Sequence, residues 1–310
     1  MYYVIYGLLY ILSLLPFSIL YFISDLLYIL LYYVIGYRLN IVKNNLLIAF
    51  PEKTEGERTA ITKQFYKNLI DTFIETIKMV SLSKEKFLQR CNGNFEVLNS
   101  LIERGKNIQL QSAHQFNWEY GNWILAMKVK LPVASVYMPI KNKALNKIYL
   151  KVRGRFGTIM VDATHYSKNM KKVARPQHVL ALVADQNPGW PGRAYWLNFF
   201  KRPAPFLIGP EKGAIKNNNA VVFTRFVRIK RGYYFLENHV VSENPAEFKP
   251  GEITRKFRDF IQDAIAREPS DFLWSHRRWK HGYKKEYQNL WIDNEKKPSE
   301  QSHTSEQYLI

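Results

Sequence analysis

From residue 107 onward, short apolar runs alternate with stretches of helical spacing, and no other property of the chain constrains the fold as tightly. The runs at 108–112, 133–137, 158–161 and 178–184 are separated by helix-like segments at 118–128, 143–153 and 166–173. Such alternation predicts an α/β fold, with a mixed, mostly parallel sheet flanked by helices. Two more strands are expected at 220–228 and 233–241. An amphipathic helix is expected over 251–267, with Ile253, Phe257, Phe260, Ile261, Ala264 and Ile265 on one face. Upstream, Ile61, Phe65, Leu69, Phe73, Ile77 and Val80 give residues 58–80 one buried helical face. Residues 40–57 read as a connector around Phe50-Pro51-Glu52, and no internal repeat is visible.

The N-terminus has a different character. Residues 1–36 contain no Lys, Arg, Glu or His, and a single acid, Asp25. The uncharged stretch Met1–Ser24 is long enough to cross a hydrocarbon layer of roughly 30 Å. It has neither the positive start nor the small-residue cleavage site of a signal peptide. Pro16 and Asp25 allow a second reading, two helices lying in the membrane interface. Tyr2, Tyr3, Tyr6 and Tyr10 suit an interfacial aromatic belt, and Arg38 and Lys43 follow directly. A membrane-associated segment over 1–36 is therefore expected. It should precede a catalytic domain over 37–295 and a disordered polar tail over 296–310, with the basic body on the cytoplasmic side.

The formal net charge is +19, which argues for an anionic partner without choosing among nucleic acid, lipid and acidic protein. Cys91 is the one cysteine, so neither an internal disulfide nor a cysteine-based zinc site can form. No His-Glu-x-x-His, glycine-rich phosphate loop or Gly-x-Ser-x-Gly elbow occurs, so metal, nucleotide and serine-hydrolase chemistry find no support and no cofactor is expected.

The richest six residues are His114-Gln-Phe-Asn-Trp-Glu119, just past the run Ile108–Ser112. Five residues rotate by about 140° along a helix, so His114 and Glu119 cannot share a helix face. They can meet if the histidine leaves the strand on a loop and the glutamate opens the next helix. The expected result is an imidazole at a strand end with a carboxylate behind one ring nitrogen, a general base with an orienting partner. Asp185-Gln186 ends another apolar run, 179–184, and ligands of open α/β sheets bind beyond such ends.

The segment Ser112-Ala-His114-Gln-Phe-Asn-Trp-Glu119-Tyr-Gly-Asn-Trp123 resembles the His-x4-Asp/Glu motif of the glycerolipid acyltransferase superfamily. Its Asn-Trp-Glu wording is similar to the bacterial lipid A lauroyl/myristoyl acyltransferases. Asn44-Asn45-Leu46, Phe50-Pro51-Glu52, Asp185-Gln186, Phe199-Phe200, Arg202-Pro203-Ala204, Gly209-Pro210 and Trp274-Ser-His276-Arg277-Arg278-Trp279-Lys280 agree in order, over about residues 1–285.

The resemblance implies transfer of a fatty acyl chain from acyl carrier protein to a hydroxyl of an anionic lipid A precursor. The place it implies is the cytoplasmic face of the bacterial inner membrane. His114 would take the hydroxyl proton during attack on the thioester carbonyl, Glu119 would steady the other ring nitrogen, and no acyl-enzyme is expected. Arg153 and Arg155 resemble the family's basic block, and one of them is expected to meet phosphate or the developing oxyanion. Asp185 and Gln186 would position the acceptor or brace the site. Arg277 and Arg278, interleaved with Trp274 and Trp279, would grip phosphate or head group, or else belong to a C-terminal helix that packs its tryptophans into the core. Two alternatives stand beside this: the same chemistry on an aminolipid, glycolipid or lysophospholipid, and a non-catalytic basic protein binding membrane or nucleic acid. On the leading reading no nucleic-acid partner is expected.

Overall fold

The computed structural model describes residues 1–173 and 177–298; beyond residue 298 the expected polar tail lies outside the described residues. Two apolar helices open the chain, α1 (Tyr2–Leu14) and α2 (Phe17–Ile29), the second running on through a π-helical turn at Leu30–Ile35 that Gly36 closes in the left-handed region at φ 62°. Phe17–Ile35 is long and apolar enough to cross a membrane by length and composition. Next come α3 (Leu39–Ala49), α4 (Glu55–Lys78) and α5 (Lys84–Leu88).

The sequence reading of 40–57 as a connector is corrected here. Val42, Leu46 and Ala49 recur at helical spacing and are buried, so most of that stretch is α3. Helix α4 starts where Thr54 and Glu57 form a capping box, each satisfying the other's free backbone N–H.

The remaining elements alternate as the apolar runs predict. A short β1 (Cys91–Gly93) and α6 (Glu96–Glu103) lead into β2 (Ile108–Ser112), α7 (Trp118–Lys128), β3 (Val133–Tyr137), α8 (Lys143–Arg153) and β4 (Ile159–Asp162). Then follow α9 (Tyr166–Val173), β5 (Val179–Val183), the hairpin strands β6 (Ala194–Phe199) and β7 (Arg202–Leu207), and α10 (Gly209–Asn217). The long strands β8 (Ala220–Lys230) and β9 (Tyr233–Ser242) precede α11 (Glu252–Arg267).

Seven strands pair in the order β1-β9-β8-β2-β5-β3-β4, all neighbours parallel except β8 and β9. Along the central strands successive side chains enter different cores. Ile108 and Leu110 of β2 and Val222 of β8 face the layer holding Tyr120, Trp123 and Ile148. Val221 and Phe223 face the layer of Phe65, Phe257, Ile261 and Trp274. A sheet covered on both faces needs near-continuous apolar strands, which is what these runs supply.

Candidate active site

The site follows from strand register. In the parallel pair β2–β5, Ser112 lies opposite Val183, and the ladder continues one step further, with Ala184 N–H donating to the Ser112 carbonyl. Two residues beyond each strand end the chain reaches His114 and Asp185, which therefore face each other. His114 Nδ1 lies 2.7 Å from Asp185 Oδ1. The Asp185 carboxylate is buried, with 2% side-chain exposure, whereas the imidazole keeps 21%. Burial works against the Asp185 charge. The His114 ring and the hydrogen bonds around the carboxylate more than offset it, so the acid is held below its ordinary value.

The carboxylate behind the imidazole is thus Asp185, where Glu119 was expected. Glu119 does open a helix, as anticipated: Asn117 caps α7, its side-chain oxygen accepting the Glu119 and Tyr120 N–H groups. The first turn aims the Glu119 carboxylate at α8, away from the β5 loop. There it accepts two bonds from Arg153, from Nε at 2.8 Å and Nη2 at 2.5 Å, and one from Trp118 Nε1 at 2.9 Å. Glu119 reaches the histidine through Trp118, whose ring stands edge-on to the imidazole at 5.4 Å.

The remaining residues singled out from sequence divide. Gln186 lies against the imidazole, its Nε2 3.4 Å from His114 Nε2. Arg153 forms the planar pair with Glu119. Arg155 turns away and donates to the Met79 and Leu82 carbonyls past the end of α4, so its contacts brace the fold.

Arg277 is exposed. Arg278 is enclosed, lying over the Phe199 and Phe206 rings with Nη1 on Asn187 Oδ1, and burial lowers its pKa to about 10. Trp274 and Trp279 are buried with it, so a head group cannot reach Arg278 from the surface as expected; the segment packs inward because its two tryptophans complete the aromatic core.

Two residues near the imidazole were not expected there. His276 sits close enough to Asp185 to feel its charge. Burial pushes its pKa down to about 4 against that charge, with the Arg278 and Arg38 guanidiniums adding to the effect, so it stays neutral at neutral pH. Arg38 holds the Ser275 carbonyl through Nη1 at 3.0 Å. Both line a cleft of about 410 Å³ with Leu31, Tyr37, Leu69, Ile70, Phe73, Trp118, Gln186 and Leu273. A larger cavity, about 710 Å³, lies on the other face of α4, lined by Asp25, Lys67, Asn68, Asp71, Arg228 and Arg231 among others. Its acids and bases largely neutralise one another. The smaller cleft is the better candidate because Gln186 and Trp118, the imidazole's neighbours, form its wall and most of the rest is apolar.

A second buried acid supports the motif from behind. Glu75 of α4 accepts from Asn117 Nδ2 at 2.8 Å, from Tyr234 Oη at 2.9 Å and from Tyr21 Oη at 2.9 Å. Burial, with the Asp71 charge nearby, pushes its carboxyl up to about 7 against the hydrogen bonds that favour ionisation. Among the described residues no cluster of three or more His, Cys, Asp or Glu is arranged to hold a metal ion.

This arrangement, an imidazole steadied by a buried acid beside an apolar cleft, can deprotonate an alcohol next to an acyl chain. A curated protein of Haemophilus influenzae named "Lipid A biosynthesis acyltransferase" is 23% identical over 236 residues, 75% of this chain and 72% of that protein. The "Lipid A biosynthesis acyltransferase 2" of Shigella flexneri is 20% identical over 235 residues, 74% of each. The family profile described as bacterial lipid A biosynthesis acyltransferase matches residues 1–281, and the chain belongs to that family.

Proposed function

We propose that this protein transfers a fatty acyl chain from an acyl thioester, with acyl carrier protein as the donor, to a hydroxyl of a lipid A precursor at the inner membrane. The observation that carries the reading is the 2.7 Å contact between His114 Nδ1 and Asp185 beside the apolar cleft. With Nδ1–H donating to the carboxylate, Nε2 keeps its lone pair for the acceptor hydroxyl. That hydroxyl displaces the weak Gln186 contact and attacks the thioester carbonyl as its proton passes to Nε2. The tetrahedral intermediate collapses with cleavage of the C–S bond, and the imidazolium returns the proton to the departing thiolate. The products are an ester and a free thiol, with no acyl-enzyme between. Asp185 fixes the tautomer and stabilises the imidazolium.

Glu119 and Arg153 join α7 to α8 and hold Trp118 against the imidazole. Arg38 on the cleft wall offers a guanidinium for an anionic group, the role expected for one of Arg153 and Arg155 and for Arg277 and Arg278. The outer apolar faces of α1 and α2 and the net charge of +19 support placement at an anionic membrane surface.

The test is turnover by the purified protein, read by mass spectrometry, with acyl carrier protein and coenzyme A thioesters offered separately against a lipid A precursor. A mass gain of one acyl chain on the precursor, faster from the carrier protein, is expected. Acylation of a lysophospholipid or aminolipid instead would replace the acceptor named here.

A further inference from the structure

The stretch Phe17–Ile35 is long and apolar enough to span a bilayer, yet the inner faces of both N-terminal helices are tied along their length to groups of the catalytic body. Lys78 Nζ donates to the Ser13 and Leu15 carbonyls, both at 2.8 Å. Tyr21 donates to Glu75, and Ser24 donates to Asp71 at 2.7 Å. Lys67 lies over the Tyr28 ring and Lys63 over Tyr33. Tyr66 donates to the Tyr37 carbonyl. As the numbers along α2 rise from 21 to 33, their partners on α4 fall from 75 to 63. The two helices therefore lie antiparallel, side by side. Asp25, the one charge of the first 36 residues, pairs with Arg231 in the β8–β9 turn at 2.7 Å. Helix α1 is held likewise on α8, with Lys147 over Tyr2 and Lys151 over Tyr6.

If α2 crossed a bilayer in this arrangement, α4 would stand beside it in the hydrocarbon with Lys63, Lys67, Asp71, Glu75 and Lys78. Ionisable groups at that depth are expensive even when paired. The outer faces tell the complementary story. Val4, Leu8 and Ile11 of α1 and Ile19, Phe22, Leu26 and Leu30 of α2 are exposed.

We propose that α1 and α2 lie in the plane of the membrane, their outer apolar faces sunk into one leaflet, and that neither helix crosses it. The proposal rests on the membrane reading above and fixes how the membrane is used. The partner is an anionic leaflet. Lys63, Lys67, Lys147 and Lys151 lie over tyrosines of these helices, within reach of phosphate head groups, and exposed Tyr3, Tyr10 and Tyr33 sit where interfacial aromatics belong. Leu31 and Tyr37 from the end of the same segment, with half-exposed Phe73, also line the cleft beside His114. The cleft is thus continuous with the leaflet, and a lipid hydroxyl can enter it sideways.

The test uses full-length protein with Cys91→Ala and one added cysteine, Ile19→Cys, Leu26→Cys or Val34→Cys, each carrying a fluorophore. The variants are bound to vesicles of phosphatidylethanolamine and phosphatidylglycerol containing lipids with a nitroxide placed shallow or deep. All three positions are exposed, and the melting temperature of each variant confirms folding. An in-plane helix gives a flat profile: equal quenching by the shallow nitroxide at all three positions and little by the deep one. A profile with Leu26 deep and Ile19 and Val34 shallow on opposite sides overturns the in-plane arrangement and leaves membrane attachment standing. Failure to sediment with the vesicles at all overturns both.

Discussion

His114 and Asp185 stand 71 positions apart in the chain, and their contact exists because β2 and β5 are parallel neighbours in matched register. The sequence places each at a strand end, but strand order decides which ends meet, and no local pattern carries that order. Glu119, five residues from His114, was the nearer candidate by sequence; the α7 turn gives it to Arg153. Replacing His114 with Ala should abolish most turnover while leaving the melting temperature near that of the wild type, since a loss of general-base catalysis costs about 10² to 10⁴ in rate. Glu119→Ala should lower both activity and melting temperature, because it leaves the half-buried Arg153 guanidinium without its partner, a change worth about 1–3 kcal/mol. Glu75 offers a separate check by pH. Its folded pKa of about 7 lies above its ordinary 4.5, so its contribution to stability is full below about 4.5 and is lost as pH rises through about 7. Thermal melts of wild type and Glu75→Gln should therefore diverge with pH, the wild type losing ground across that window. Parallel curves would contradict the assignment.

Among the elements, those with continuous apolar runs were legible. The runs 108–112 and 133–137 coincide with β2 and β3, and 143–153 with α8. The β6–β7 hairpin is not legible as strands, and β7 shows why: Pro203 and Pro205 remove two ladder donors, which argues against a strand in any central position. In this ribbon β7 pairs with β6 alone, so its other edge makes no ladder and the prolines are tolerated there. Helix α3 was hidden by its polar residues. Asn45 looks like a loop residue but is buried, donating to the Trp274 and His276 carbonyls and so tying α3 to the cleft wall. Packing of α7 on the sheet depends on Gly121, where a methyl would overlap the Phe226 ring. Gly121→Ala should therefore destabilise by about 1–3 kcal/mol, measured by denaturant unfolding, and shift α7 with its Glu119 and Trp118. An unchanged unfolding midpoint would show that the ring moves aside freely.

For the whole molecule, charge and apolar surface act together. A net charge of +19 and two helices with apolar outer faces predict binding to anionic vesicles that weakens with salt yet survives it, because screening removes the electrostatic part and leaves the buried apolar area. Vesicle sedimentation across a salt series checks this, and complete release at high salt would mean that the apolar faces do not insert. The catalytic claim needs its own measurement. Asp185→Asn keeps the size and hydrogen-bonding oxygen of the side chain while removing the charge that holds the His114 tautomer. Steady-state acyl transfer by this variant, beside the wild type and with folding verified, should fall by about 10² to 10⁴ in kcat with little change in KM. Turnover by Asp185→Asn at the wild-type rate would contradict the account.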